Sequence, residues 1–365
     1  MVLYRKYRPK TFSNLVGQEH IIKTLTNSLK MGTFAHAYLF AGPKGTGKTT
    51  IARLLSKAVN CENRKNKEFE PCNKCKACEE INKGQSLDLI EIDAASNRGI
   101  DEIRELRQGI KFSPTRLKYK VFIIDEVHML TREAFNALLK TLEEPPEHAI
   151  FILATTELHK VLPTIISRCQ FFQFRKFNLK ELVKNLTFIS NQEKIKIEKK
   201  ALQVIALNAQ GDSRDAISLL DQITFLENKK ITSQEVIKIL GISDINDIIE
   251  IIKVILKKQT KNALLLINKL EQKGIDLSQF AKSIIDYLRK ILLLKQNSEK
   301  TFINLVAPEL TKEQINAIIK LGKNINEKRL LDLLDIFIKA EYNMKSAVSP
   351  QLPLEMAVVG SCIGE

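Results

Sequence analysis

The stretch "AYLFAGPKGTGKTTIARLLSKAVN" constrains the fold of this chain more than any other. An apolar strand run enters a glycine-rich loop, and a helical pattern leaves it. Gly42–Thr49 fits the pattern G-x-x-x-x-G-K-[S/T] in the strand-to-helix setting that pattern requires. Gly42, Gly45 and Gly47 let backbone N–H groups approach phosphate oxygens with no Cβ in the way. Lys48 is placed to reach β- and γ-phosphates, and Thr49 to hold Mg²⁺.

Around this loop the first half of the chain alternates short apolar runs with helical patterns. The runs are "AYLFAG" (37–42), "LDLIEID" (87–93), "YKVFIID" (119–125), "AIFILATT" (149–156) and "QFFQF" (170–174). Such alternation predicts an α/β domain over 1–177 with a mostly parallel sheet flanked by helices. The runs lack strict period-two patterning, which suits strands covered on both faces. After Phe177 the strand signals stop. Residues 178–242 read as a small helical domain, and "GISDIND" (241–247) as a boundary. Residues 243–365 read as helical throughout. Stretches such as "LSQFAKSIIDYLRKILLL" are too apolar for solvated helices, so they must pack on each other or on copies of the chain.

The run "VFIIDEVHML" ends a buried strand in two adjacent acids. Asp125 is placed to bind Mg²⁺. Glu126 is placed to polarise an attacking water, since hydrolysis needs a base within hydrogen-bond reach. A solvated loop is the other reading of such a pair, and the phosphate loop in the same domain weighs against it. The strand "FILATT" ends in polar residues. Thr155 or Thr156 could set a hydroxyl between that acid and a γ-phosphate, or simply cap a helix.

Four cysteines, Cys61, Cys72, Cys75 and Cys78, are spaced C-x10-C-x2-C-x2-C. Four thiolates can close a tetrahedral Zn²⁺ shell with no open position for catalysis, so the expected site is structural. The same four could hold an iron–sulfur cluster, but nothing else in the sequence suggests redox work. Cys169 and Cys362 stand apart as packing residues. The start "MVLYRKYRPKTF" lacks the apolar run of a signal peptide. No apolar run approaches the ~20 residues of a membrane span. A cytoplasmic protein without membrane contact is the expectation, and there thiols stay reduced. The net charge of +15 suits a polyanion such as nucleic acid. A lysine-rich composition that keeps the chain soluble explains the same number.

Taken together, "LYRKYRPKTFSNLVGQEH", "HAYLFAGPKGTGKTT", the cysteine insertion at about 61–78, "IDAASNRGIDEIREL", "KVFIIDEVHMLTREAFNALLKTLEEPPEHAIFILATTE", "ISRCQFF" and "GDSRDAISLLDQ" resemble the AAA+ ATPases, and within them the bacterial clamp-loader ATPases of the DNA polymerase III γ/τ family. The resemblance spans residues 3 to 223; the C-terminal third matches by position and character only. It implies an AAA+ domain with a zinc module, an α-helical lid (178–242) and an α-helical collar (243–365). It implies ATP and Mg²⁺ as ligands of Gly42, Pro43, Lys44, Gly45, Thr46, Gly47, Lys48, Thr49, Thr50 and Asp125. Tyr7, Arg8, Pro9, Val16 and Gly17 match the segment that wraps the adenine base. Arg168 of the S-R-C motif matches an arginine finger supplied in trans to the neighbouring subunit's site, and Arg214 matches the sensor-2 arginine of the lid. Catalysis would then involve Lys48, Glu126, Thr155, Arg168 and Arg214.

The implied partners are the δ and δ′ subunits, further copies of this chain, the β sliding clamp and primer–template DNA. Arg98 and Arg104 are the candidate DNA contacts. In the long form of the family, further domains tether polymerase and helicase. A short γ-like form, or a longer chain of which this is part, are both consistent with a sequence ending at Glu365. Three competing readings share parts of the pattern: another AAA+ DNA-remodelling motor, a non-hydrolysing scaffold subunit, and a zinc-dependent nucleic-acid binder. The complete phosphate loop argues against the scaffold, and the cysteine insertion combined with S-R-C argues against the other motors.

Overall fold

The computed structural model describes residues 2–65, 67–97, 108–110, 112–224, 230–241, 245–297, 299–307, 312–323 and 325–363. It forms two compact units, Met1–Lys196 with Ile205–Glu227, and Ile197–Val204 with Asn228–Glu365.

The first unit is built on five strands: β1 (Ala37–Ala41), β2 (Leu89–Asp93), β3 (Lys120–Asp125), β4 (Ala149–Thr155) and β5 (Gln170–Gln173). Each coincides with an apolar run in the sequence. Their order is β2-β3-β4-β1-β5, and every pairing is parallel. All five C-terminal ends therefore share one edge. In this register Ala41 lies opposite Thr155, and Asp93 opposite Asp125.

Side chains alternate across the sheet with period two. Tyr38, Phe40, Val121, Ile123, Ile150 and Ile152 pack to one face, against Ile21, Leu25 and Leu29 of the helix Glu19–Met31 and Ile51, Leu54 and Leu55 of the helix Lys48–Val59. Leu39, Phe122, Ile124, Phe151 and Leu153 pack to the other, against Phe135, Leu138 and Leu142 of the helix Arg132–Glu143. Two-sided burial explains why the runs of β1, β3 and β4 read as continuously apolar. The helix Arg132–Glu143 begins where the Thr131 side chain accepts the Ala134 N–H. It ends just before Pro145 and Pro146, because a residue preceding proline is driven out of the helical region.

The segment 178–242 is divided between the units. The helices Leu179–Gln192 and Ser213–Thr224 belong to the first, and Ser233–Ile239 to the second. Beyond it the second unit is helical. Its central helix, Leu277–Gln296, starts at Asp276, whose carboxylate accepts the N–H groups of Ser278 and Gln279. Phe280, Ile284, Leu288 and Ile291 of that helix are buried against the helices Lys312–Lys323, Glu327–Met344 and Ile245–Leu256. Among the described residues no helix is long and apolar enough to cross a membrane.

Asp88 fixes the approach to β3. It is 2% exposed, and its carboxylate accepts the N–H groups of Thr115, Arg116 and Leu117 at 2.8, 2.8 and 2.9 Å. Burial pushes this carboxyl up, but those N–H groups and the charge of Lys120 together hold it below the usual range. A lowered folded value means that the stabilisation is present above the ordinary carboxylate pKa, ~3.9, and is lost as pH falls through the lowered value. Asp88→Asn is expected to reduce the unfolding free energy at neutral pH by about 1–3 kcal/mol, the cost of leaving buried donors poorly matched. The difference from wild type should shrink in chemical denaturation at acid pH.

Candidate functional site

The chain leaves β1 at Ala41 into the loop Gly42–Gly47, then enters the helix Lys48–Val59. Two loop glycines are required by what lies against them. A Cβ on Gly42 would meet the Phe174 carbonyl oxygen at 2.5 Å. Gly45 has φ +69°, and a Cβ there would lie 1.6 Å from an oxygen of Asp212. Asp212 is also the N-terminal cap of the helix Ser213–Thr224, accepting the N–H groups of Arg214 and Asp215 at 2.8 and 3.0 Å. The Ser213 N–H donates to the Gly45 carbonyl at 3.2 Å. The Arg214 helix is thus stitched to the phosphate loop.

Lys48 is 6% exposed, and its ammonium donates to the carbonyls of Gly42 and Pro43 at 2.8 and 2.9 Å. Burial lowers its pKa, opposed by the charges of Glu126, Asp125 and Asp212. The Thr49 hydroxyl donates to Asp125 Oδ2 at 2.7 Å, joining the loop helix to the end of β3. Glu126 follows with φ 49° and ψ 43°, a left-handed conformation that costs a non-glycine residue ~1–3 kcal/mol and collects at functional sites. Its carboxylate accepts the Thr156 hydroxyl at 2.8 Å and the Thr156 N–H at 3.2 Å. Of the two threonines named from sequence, Thr156 is therefore the one that touches Glu126. Thr155 is fully buried, with its hydroxyl 2.9 Å from His128 Nδ1 and accepting the Glu157 N–H at 3.0 Å.

A cavity of about 570 Å³ opens over this edge, within the range of small-ligand sites. Lys44 to Ile51 line it together with Asp125 and Glu126. Tyr7, Arg8, Pro9, Val16 and Gly17 of the N-terminal arm line it as well, as do Glu181, Leu182 and Arg214. The Arg214 guanidinium sits 4.8 Å from the Tyr4 ring centroid. Arg168 does not line the cavity. It follows the short helix Pro163–Ile166 and donates to Glu143 Oε1 at 2.6 Å and to the Thr164 carbonyl at 2.8 Å. Arg98 and Arg104 lie outside the described residues.

The four cysteines converge. The Sγ atoms of Cys61, Cys72, Cys75 and Cys78 all lie within 4.8 Å of one another. Backbone N–H groups of Cys72, Cys75 and Cys78 point at the sulfurs of Cys61, Cys72 and Cys75 at 3.3, 3.2 and 3.5 Å. Burial pushes the Cys72 thiol up, yet the N–H groups of Lys74 and Cys75 and the neighbouring thiols bring it down to about 6. Burial pushes Cys61 and Cys78 up. Thiolates about 2.3 Å from a central ion would fit this spacing, and four sulfur donors suit Zn²⁺.

Several contributors had no local signal in the sequence. Gln18 is buried, donates to the Arg175 carbonyl at 2.6 Å and accepts the Arg175 N–H at 3.2 Å, tying the arm to the end of β5. Asp212 and Glu143 likewise act through contacts distant in sequence.

Three family descriptions match successive parts of the chain. They are "DNA polymerase III, delta subunit" over residues 17–178, "DNA polymerase III clamp loader subunit, ATPase lid domain" over 181–225, and "DNA polymerase III subunits gamma and tau domain III" over 231–363. The DNA polymerase III γ subunit of Buchnera aphidicola (strain APS) is 37% identical over 358 residues, covering 98% of this chain and 97% of that protein. The chain belongs to the DNA polymerase III γ/τ family. The τ subunit of Bacillus subtilis is 44% identical, over 99% of this chain and 63% of that protein. The τ subunit of Escherichia coli is 40% identical, over 86% of this chain and 48% of that protein. This γ/τ chain thus spans about half to two thirds of the length of those two τ subunits. Among solved structures, the Thermotoga maritima RuvB Holliday junction branch migration motor is 22% identical with a TM-score of 0.48, covering 70% of this chain and 80% of that one.

In this γ/τ chain the contact between Gly45 and Asp212 can be tested by a double-mutant cycle. Gly45→Ala introduces both the left-handed strain and the clash with Asp212, and Asp212→Ala removes a helix cap worth ~1 kcal/mol. The stability losses measured by chemical denaturation are expected to be less than additive by about 1 kcal/mol or more, because the double variant has no carboxylate to clash with. Strict additivity would place the two residues in independent surroundings.

Proposed function

We propose that this chain is the ATP-hydrolysing motor subunit of a bacterial clamp loader, which places the β sliding clamp on primed DNA during replication. One observation carries the ATPase reading: Lys48, the Thr49–Asp125 hydrogen bond and Glu126 border a single cavity. Phosphates belong at the Gly42–Thr50 end, where loop N–H groups and the N-terminus of the following helix favour anions. The base then falls toward the arm, at Tyr7, Arg8, Pro9, Val16 and Gly17. The Lys48 ammonium exchanges its loop carbonyls for phosphate oxygens. Thr49 and Asp125 are the residues to hold Mg²⁺, which supplies charge neutralisation at the phosphates. Glu126 takes a proton from the attacking water, aimed by its bonds to Thr156.

Arg168 is assigned in trans. Its exclusion from its own chain's cavity and its position on a surface loop support that reading. A guanidinium delivered to a γ-phosphate stabilises charge on the transferring oxygens by ~10³–10⁵ in rate. In the chain by itself that guanidinium is held by Glu143, so it must leave Glu143 to act on a neighbour. Arg214 reports on nucleotide from the lid segment, taken as 178–242 between an ATPase domain (1–177) and a collar (243–365). Thr155 acts behind Glu126 through His128, whose Nδ1 lies 3.4 Å from the Glu126 carboxylate.

The four cysteines are assigned a structural Zn²⁺. The δ and δ′ subunits, further copies of this chain, the β clamp and primer–template DNA are the partners, in the cytoplasm at the replication fork. DNA contact is to phosphates and therefore salt-dependent; Arg98 and Arg104 are its candidates.

Lys48→Ala and Arg168→Ala chains, each alone in the assembled loader, are expected to lose ATP turnover by ~10³ or more. Rings containing both variants should regain turnover, because one interface then joins an intact loop to an intact arginine. No recovery in rings shown to be mixed would contradict the trans assignment.

A further inference from the structure

The cysteine module touches the N-terminal arm through a polar seam that the catalytic reading leaves unused. Glu70, two residues before Cys72, accepts the N–H groups of Phe12 and Ser13 at 2.8 and 2.7 Å and the Ser13 hydroxyl at 2.5 Å. Lys57, buried on the phosphate-loop helix, donates to the Lys10 carbonyl at 2.8 Å, to Asn73 Oδ1 at 2.6 Å and to Asn82 Oδ1 at 2.9 Å. The Asn73 amide also donates to the Lys10 carbonyl, at 3.1 Å. Phe69 meets the buried Phe12 ring edge to face, with centroids 6.4 Å apart.

These contacts grip residues 10–13. The segments on either side of that grip, Tyr7–Pro9 and Asn14–Gly17, line the cavity. The module therefore holds the middle of an arm whose two flanks both line the site. Without Glu70 two backbone N–H groups of the arm lose their acceptor, and the short 3₁₀ turn Phe12–Asn14 loses its anchor.

We propose that the four-cysteine module is a clasp that sets the base-binding arm, with Glu70 as a positioning residue, so that metal at the cysteines and base at the arm are coupled. This rests on the nucleotide reading above. The coupling is reciprocal: what orders the module favours the base, and a bound base favours the ordered module. The seam meets the phosphate-loop helix only at Lys57, beyond the residues that line the cavity, so the effect falls mainly on ligands that carry a base.

The test compares ATP with inorganic tripolyphosphate, which has the phosphates and no base. Affinities are measured by calorimetry on the full chain, alongside zinc content and far-ultraviolet circular dichroism. Glu70→Ala is expected to weaken ATP by about tenfold, a typical coupling, with tripolyphosphate affinity and zinc content unchanged. Glu70→Gln keeps one acceptor oxygen for two N–H groups and should recover only part of the loss. Asn73→Gly, at a residue with φ +57° where glycine is unstrained, probes the second half of the seam and should show the same selectivity. It also serves if Glu70→Ala does not fold. Stripping zinc from the wild-type chain should reproduce the selective loss. Wild-type ATP affinity in folded Glu70→Ala and Asn73→Gly chains would overturn the clasp, as would an equal loss of both ligands. Lys48→Ala is the control for the underlying reading. It should weaken both ligands, and wild-type binding of both would sink the nucleotide site itself.

Discussion

Every strand of the sheet runs in the same direction, and the rest of the site depends on that constraint. Parallel pairing delivers the ends of β1, β3 and β4 to one edge, in a register that sets Ala41 beside Thr155 and Asp93 beside Asp125. The loop after β1 then lies within reach of the acids after β3, and the Thr49 hydroxyl closes the gap to Asp125 at 2.7 Å. Glu126 takes the strained turn that follows and is held by Thr156 from the end of β4. The loop after β1 and the end of β3 border a single pocket, and the end of β4 holds Glu126 in place there. An open parallel sheet binds ligands at this edge for the same reason.

Attachments to this edge come from outside the sheet. Asp212 presses on Gly45 and caps the helix that carries Arg214. Gln18 links the arm to the end of β5, and Glu70 links it to the cysteine module. The loop is therefore braced from the lid side by the Asp212 carboxylate and from the arm side by the Gln18 amide, which donates to the Thr46 carbonyl at 3.4 Å. Arg168 is the exception, because it faces its own chain's Glu143 and not its own chain's cavity. That arrangement suits a residue whose target belongs to another subunit.

Much of this was legible in the sequence, and the physical reason differs by feature. The three inner strands β1, β3 and β4 were visible because two-sided burial leaves continuous apolar runs, while the edge strands β2 and β5 carry part-exposed ones. The phosphate loop, the Asp125–Glu126 pair and the four cysteines were visible because their chemistry demands particular residue types at short, fixed spacing. Glu143, Glu70, Asp212 and Gln18 were not. Each is an ordinary polar residue whose role is a contact made across tens to hundreds of positions, and no local pattern marks it. The choice between Thr155 and Thr156 was open for a related reason. Adjacent residues at a strand end point to opposite sides, and only the register decides which one reaches Glu126. The division of 178–242 was hidden too, since two neighbouring amphipathic helices look alike whichever core they join.

In the proposed reaction the junction between Thr49 and Asp125 is where the phosphate loop acquires its metal. The most direct measurement is ATP affinity by calorimetry in magnesium-free and magnesium-containing buffer, without chelator, for wild-type and Asp125→Asn chains. Magnesium is expected to tighten ATP binding in the wild type and to have no effect in Asp125→Asn, whose metal-free affinity should match wild type. An undiminished magnesium effect in the variant would show that the metal is held elsewhere and would contradict the account.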